Sequence, residues 1–191
     1  EITKQGHQVK GLDLSKAMID QAVNKAADKE LNVEFKVGNM KKIDEVYQNQ
    51  QFDLVYCIGN SLVHLANLQE VKNVLEKMYN LLSRNSKLVI QIVNYDRILA
   101  KDITSLPTIN NQDKNIKLIR NYELKNDRYV DFNTELITPE DNYTNSVRLL
   151  ALQSSDLRQL LQEVGFKEIN FYGNFNYEEY RPLHSFPLIS V

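Results

Sequence analysis

Residues 52–65, FDLVYCIGNSLVHL, constrain this chain more than any other stretch. Residues 52–57 have strand length, and Val55 with its apolar neighbours suits a strand covered on both faces as in a parallel sheet. The run breaks at Ile58-Gly59-Asn60 and gives way to a helix near Ser61. Gly59 lets the backbone turn sharply or approach a ligand closely, and Asn60 or Ser61 can cap the new helix. In an open α/β sheet, ligands bind beyond the carboxyl ends of the strands, so residues 57–64 are the first place to look for chemistry. An ordinary strand-to-helix turn accounts for the same residues, and the flanking pattern has to decide.

That pattern alternates. Gly6 reads as the cap of a helix whose body precedes residue 1, and residues 7–13 as a strand ending in an acid. Ser15 caps a helix with Met18, Ile19, Ala22, Val23 and Ala26 on one face. Residues 33–37 form a short strand ending at Gly38-Asn39-Met40, and 43–47 one helical turn. Residues 68–83 predict a helix striped by Val71, Val74, Leu75, Met78 and Leu82. Residues 87–93 predict a buried strand ending at Asn94-Tyr95-Asp96. The order β-α-β-(α)-β-α-β is that of a doubly wound, mostly parallel sheet.

From Thr104 the texture changes. Pro107 and the polar run to Asn115 read as a loop, followed by three alternating stretches at 115–124, 129–137 and 145–152. These predict an antiparallel β meander inserted into the α/β unit. Ser155 caps a helix with Leu157, Leu160, Leu161 and Val164 inward, closed by Gly165. Two closing strands follow at 169–172 and 185–191, and Pro182 and Pro187 place at least one near an edge. The expected division is a cofactor-binding α/β domain, 1–103 with 153–191, and an inserted lid, 104–152.

Composition narrows the classes of function. Charged residues are 25% of the 191 and the net charge is -2, with no basic stripe, which argues against a nucleic-acid partner. No apolar run reaches the ~20 residues that span a bilayer, and with neither a basic nor an apolar stretch in its first residues no secretory signal is expected. Cys57 is the single cysteine, so no internal disulfide forms; this fits a reducing cytoplasm, with Cys57 as a core residue. His7, His64 and His184 lack paired ligand spacing, so no metal is expected.

Asp13 ends the second strand of the pattern, where nucleotide-binding folds place an acid to accept both ribose hydroxyls; a solvated helix cap is the alternative. Met18 can cover an adenine face or pack in the core. Asn39 offers the donor and acceptor of an adenine edge, or a turn. None of the six glycines forms a GxG pair, and the Gly-rich loop would fall ~20 residues before the acid, upstream of residue 1. The upstream piece would carry the central strand, and a sheet without it has an unfilled gap.

Together these stretches resemble the Rossmann-like S-adenosylmethionine-dependent methyltransferases, and among them glycine N-methyltransferase and the glycine/sarcosine methyltransferases. The anchors are VKGLDLSKAMID (9–20), GNM (38–40), FDLVYCIGNSLVHL (52–65), VIQIVNYDRIL (89–99) and SVRLLAL (146–152). The specific parts are GNS-x-x-HL and NYD-x-IL. The resemblance implies a Rossmann-like sheet, mostly parallel with an antiparallel closing strand, bearing the inserted meander. It implies S-adenosylmethionine as cofactor, with Asp13 on the ribose, Met18 on the adenine and Asn39, beside Met40, at its polar edge. Ile58 and Gly59 would follow the methionyl part, with His64 close by. Asn94 and Arg148 would orient an amino-acid substrate, Arg148 facing its carboxylate; a surface arginine is the alternative. Tyr95, Tyr122 and Tyr180 are candidates to face the sulfonium. The expected acceptor is a small molecule such as glycine or sarcosine, and a homo-oligomer is among the expected assemblies. A nicotinamide-dependent oxidoreductase, or a non-catalytic binding module if residue 1 is the true start, would share Asp13.

Overall fold

The computed structural model describes residues 2–191, and within it the expected α/β sheet falls into two sheets, as the expected gap implies, while the expected meander forms a third. The first has two strands. β1 (Val9–Asp13) pairs in parallel with β2 (Val33–Val37), Val9 opposite Val33 and Asp13 opposite Val37. The crossover between them is α1 (Lys16–Ala27), whose first turn is capped as Ser15 Oγ accepts from the Met18 N–H at 3.3 Å. Ile19 and Ala26 are its buried residues, while Met18 is 55% exposed. Gly11 is required for this pairing, since a Cβ there would lie 2.6 Å from the Phe35 ring. After β2 comes one short helical turn, α2 (Ile43–Val46), as expected.

The second sheet has the order β3-β4-β10-β9. β3 (Phe52–Cys57) and β4 (Leu82–Val93) run parallel, joined through α3 (Leu68–Asn80). The buried stripe of α3 is Val71, Val74, Leu75 and Met78; Leu82 belongs instead to β4, which starts earlier than the alternation suggested. The register between β3 and β4 shifts between Phe52 and Leu54, where Asn85 takes a left-handed φ of 63°. After β4 lies α4 (Tyr95–Ala100).

The third sheet is an antiparallel meander of β5 (Ser105–Asn111), β6 (Ile116–Asn126), β7 (Tyr129–Ile137) and β8 (Asn142–Leu150). The run expected to be a loop is therefore mostly strand. Pro107 is tolerated because β5 is an edge strand and the register shifts there, between Leu106 and Ile109; its carbonyl accepts from Arg120 Nη2 at 2.6 Å. The chain then enters α5 (Ser154–Val164), which begins one residue before Ser155. Its entry is fixed by the Gln153 N–H, which donates to Asp156 Oδ2 at 3.3 Å, so Ser155 is not the cap. Gly165, at φ 117°, closes it as expected. β9 (Phe171–Tyr172) and β10 (Pro187–Ser190) complete the second sheet, both antiparallel, with β9 on its edge.

The main core lies between β3, β4 and β10, the apolar stripes of α3 and α5, and the base of the meander, where Tyr122, Val130 and Leu149 join it. Ile19, Ala26 and Tyr47 are buried but fall outside that cluster. One expectation for β3 fails: it is not covered on both sides. Leu54 and Tyr56, on one face, are each 43% exposed, whereas Val55 and Cys57, on the other, pack into the main core.

Candidate functional site

A cleft of about 960 Å3 opens between β1 and β3 and continues past their carboxyl ends. Its mouth is lined by Asp13, Ser15, Met18, Asn39, Met40, Ile58, Ser61 and His64, so most of the expected cofactor residues meet in one place. Local chemistry explains how each is held. Asp13 is exposed and its Oδ1 accepts from the Ser15 N–H at 2.8 Å, which turns the chain into α1. Asn39 caps the single 3-10 turn at Met40–Lys42, its Oδ1 accepting from the Lys41 N–H at 2.9 Å. Its side-chain amide is exposed.

The turn after β3 is sharper than a direct strand-to-helix step. Gly59 and Asn60 both take left-handed φ values, 79° and 67°, and Ser61–His64 forms one 3-10 turn before α3. Nothing would meet a Cβ at Gly59 within 4 Å, so the backbone angle alone asks for glycine there. Gln91 Oε1 accepts from the Gly59 N–H at 2.8 Å, tying this turn to β4. Asn60 completes the tie: its Oδ1 accepts from the Val93 N–H at 2.9 Å and its Nδ2 donates to the Tyr95 hydroxyl at 3.2 Å. The sequence offered Asn60 as a helix cap, and no side-chain capping bond is made. Cys57 is buried below the turn, and burial pushes its thiol up to about 11, as suits a core residue.

Asn94 and Arg148 stand apart from the residues lining the mouth. Asn94 is 1% exposed. Its Nδ2 donates to the carbonyls of Pro182 (2.9 Å) and Ser185 (2.8 Å), and its Oδ1 accepts from the Arg97 N–H at 3.1 Å and from the Tyr180 hydroxyl at 2.6 Å. The Tyr180 oxygen is also 2.6 Å from Asp96 Oδ2; burial, reinforced by Asp96, raises its pKa and keeps the hydroxyl protonated. Arg148 lies opposite Asp131 across β7 and β8, with a 62% exposed side chain. It donates to both Asp131 oxygens, Nε at 2.8 Å and Nη2 at 3.2 Å, and holds that carboxyl below its ordinary range. Of the three tyrosines named above, none lines the cleft. Tyr95 and Tyr122 are buried, the Tyr122 hydroxyl being pushed up to about 12 by that burial.

Among the described residues no three His, Cys, Asp or Glu side chains gather to hold a metal, and no helix is long and apolar enough to cross a membrane. The mouth of the cleft does suit an adenosyl group. It joins an exposed carboxylate, a side-chain amide and apolar surface at the ends of adjacent strands.

Known proteins match this arrangement. A glycine/sarcosine N-methyltransferase of Aphanothece halophytica is 28% identical over 170 residues, 89% of this chain and 62% of that protein. Its counterpart in Halorhodospira halochloris is 28% identical over 125 residues, 65% of this chain and 45% of that protein. The chain thus spans less than two thirds of these relatives. Among solved structures, an S-adenosylmethionine-dependent methyltransferase from Clostridium acetobutylicum aligns with a TM-score of 0.79 at 14% identity, covering 96% of this chain and 74% of that one. The CcbJ methyltransferase of Streptomyces caelestis aligns at 0.80 and 18% identity, covering 99% and 75%. These likenesses bear out the α/β fold with its added meander, and the nicotinamide-dependent oxidoreductase finds no support among them. The family model described as methyltransferase domain matches residues 1–165, and with most of its length inside that match the chain belongs to the methyltransferase domain family.

Proposed function

We propose that this chain works as an S-adenosylmethionine-dependent methyltransferase on a small amine, with glycine and sarcosine as the first acceptors to test. One observation carries the reading: Asp13, Met18, Asn39, Met40, Ile58 and His64 line the mouth of a single cleft. The Asp13 carboxylate accepts the two ribose hydroxyls. Met18, exposed on the first turn of α1, covers one adenine face, and Asn39 meets its polar edge beside Met40. Ile58 and Gly59 supply backbone and apolar surface along the methionyl part, with His64 one turn on. The cofactor, when bound, supplies a methyl group on an electrophilic sulfonium.

A neutral amine acceptor needs little acid-base help; it needs alignment and exclusion of water. We assign those tasks to the meander as a lid, and to Arg148 as the fork for an acceptor carboxylate. In that role Arg148 exchanges Asp131 for the substrate. Asn94 acts through position, fixing the segment that carries Pro182 and Ser185 against the end of β4. The single buried Cys57 suits a reducing cytoplasm.

The test is calorimetry with S-adenosylhomocysteine, then release of that product from S-adenosylmethionine with glycine or sarcosine. Binding that Asp13→Ala weakens supports the reading. A folded protein that binds neither cofactor form, or that binds NAD instead, overturns it. An unchanged apparent KM for glycine in Arg148→Ala removes Arg148 from the carboxylate role and leaves the rest standing.

A further inference from the structure

Tyr95 is the first residue of α4 and is 1% exposed, yet it carries a hydroxyl where phenylalanine would fill the same space. Among the described residues that hydroxyl has one hydrogen-bond partner, the Asn60 amide, whose Nδ2 donates to it at 3.2 Å. Burial raises the Tyr95 hydroxyl above the usual tyrosine range; the Asn60 amide opposes the rise and Tyr122 adds to it, so the group stays protonated. Asn60 belongs to the turn at the mouth of the cleft, with a left-handed φ of 67° that asparagine tolerates. Gln91 and Val93 tie this turn to β4, whereas Tyr95 ties it to α4, the helix that leads into the meander. Beyond α4, the Tyr122 N–H donates to the Thr104 carbonyl at 2.8 Å, which fastens β6 to the link between α4 and β5. Tyr95 also shares one buried cluster with Tyr122, Val130 and Leu149 of the meander. A second tie runs between the same two regions: the Tyr129 hydroxyl donates to the Ala66 carbonyl at 3.0 Å, just past the turn.

We propose that Tyr95 is a positioning residue: through Asn60 it sets Ile58 and Gly59 for the cofactor, and through Tyr122 it links that turn to the base of the meander. The proposal rests on the cofactor reading given above. Its physical content is a coupling. A turn with two successive left-handed residues is held in one arrangement by contacts from outside it, and the Tyr95 hydroxyl is one of them. Whatever fixes the turn therefore also fixes Tyr95 against the buried cluster that the meander enters. Cofactor bound at the turn then steadies the meander, and by linkage a steadied meander favours the cofactor. Tyr95 does this without touching the cofactor, since it is buried and does not line the cleft.

The experiment compares the parent chain with Tyr95→Phe, Asn60→Gly and the double variant. S-adenosylhomocysteine binding is measured by calorimetry well below the melting temperature, and amide hydrogen exchange is followed with and without that compound. Asn60→Gly keeps the left-handed backbone accessible while removing the amide. Tyr95→Phe should weaken binding about threefold or more, the scale of one hydrogen bond, and should weaken it no further in the Asn60→Gly background. In the parent, the compound should slow exchange about tenfold at residues 58–64 and also at Tyr122 and Phe132; Tyr95→Phe should keep the first effect and lose the second. A Tyr95→Phe variant that melts lower but binds as the parent does overturns the proposal and leaves Tyr95 a core residue. Additive losses in the double variant overturn it too, as does protection of the parent confined to the turn. A folded parent that does not bind the compound overturns the cofactor reading itself, a result distinct from all of these.

Discussion

Asp13, Asn39 and Asn94 occupy the same kind of place, the polar end of a strand in the α/β part, yet the fold treats them differently. Asp13 and Asn39 are exposed, and each spends one oxygen on the nearest backbone N–H. Asn94 is sealed from solvent, with its side-chain amide and oxygen both bonded to protein. The difference follows from what packs over each strand end. The segment bearing Tyr180, Pro182 and Ser185 folds across β4, whereas the ends of β1 and β2 face the open cleft. A polar residue at a strand end thus stays available to a ligand where the structure leaves it open. Where the chain closes over it, it becomes a joint.

Substitution tests that contrast directly. Asn94→Ala leaves the Pro182 and Ser185 carbonyls and the Arg97 N–H without their partner, so we expect a loss of about 2–3 kcal/mol. Thermal melting should fall by roughly 5–10 °C. If Asn94→Ala melts like the parent, Asn94 is not the joint described. Asp13→Ala should do the opposite: melting stays near that of the parent, while S-adenosylhomocysteine affinity measured by calorimetry drops about tenfold or more, the weight of charge-assisted hydrogen bonds. Destabilisation by Asp13→Ala would erase the distinction between the two sites.

Gly59 sharpens the comparison at the hinge between them. Gly59→Ala meets no neighbour, so the left-handed backbone alone should cost about 1 kcal/mol in chemical denaturation. A larger loss would mean that the Gln91 contact to its N–H had broken as well. The smallest effect is expected on the exposed face of the meander. Arg148, together with Lys125, lowers the pKa of Asp131 from its ordinary 3.8. A depressed carboxyl adds stability above the unfolded-state value, and that stability disappears as pH falls through the folded-state value. Arg148→Ala should therefore raise the Asp131 titration point seen by carbon-detected NMR. Any stability difference from the parent should be present near neutrality and vanish in acid. An unmoved Asp131 would show that the crossed pair does not persist in solution.

The sequence by itself determined the alternation of elements, three strands of the meander, and which residues end the parallel strands, because periodicity, caps and turn residues act over a few neighbours. β7 at Tyr129–Ile137, the Ser15 cap and the Gly165 stop all follow from such local signals. Resemblance added the family and the expected cofactor residues, most of which line the cleft. Tertiary structure decided the rest. Residues 105–111 become a strand only because β6 offers an edge, and one face of β3, with Leu54 and Tyr56, is left exposed while the other joins the core. Asn60 and Asn94 are held by groups far away in sequence, Val93 and Tyr95 for one, Pro182 and Ser185 for the other. Hydrogen bonds between distant segments leave no periodic trace in a sequence, so whether an asparagine waits for a ligand or locks the fold is settled only when the chain has closed around it.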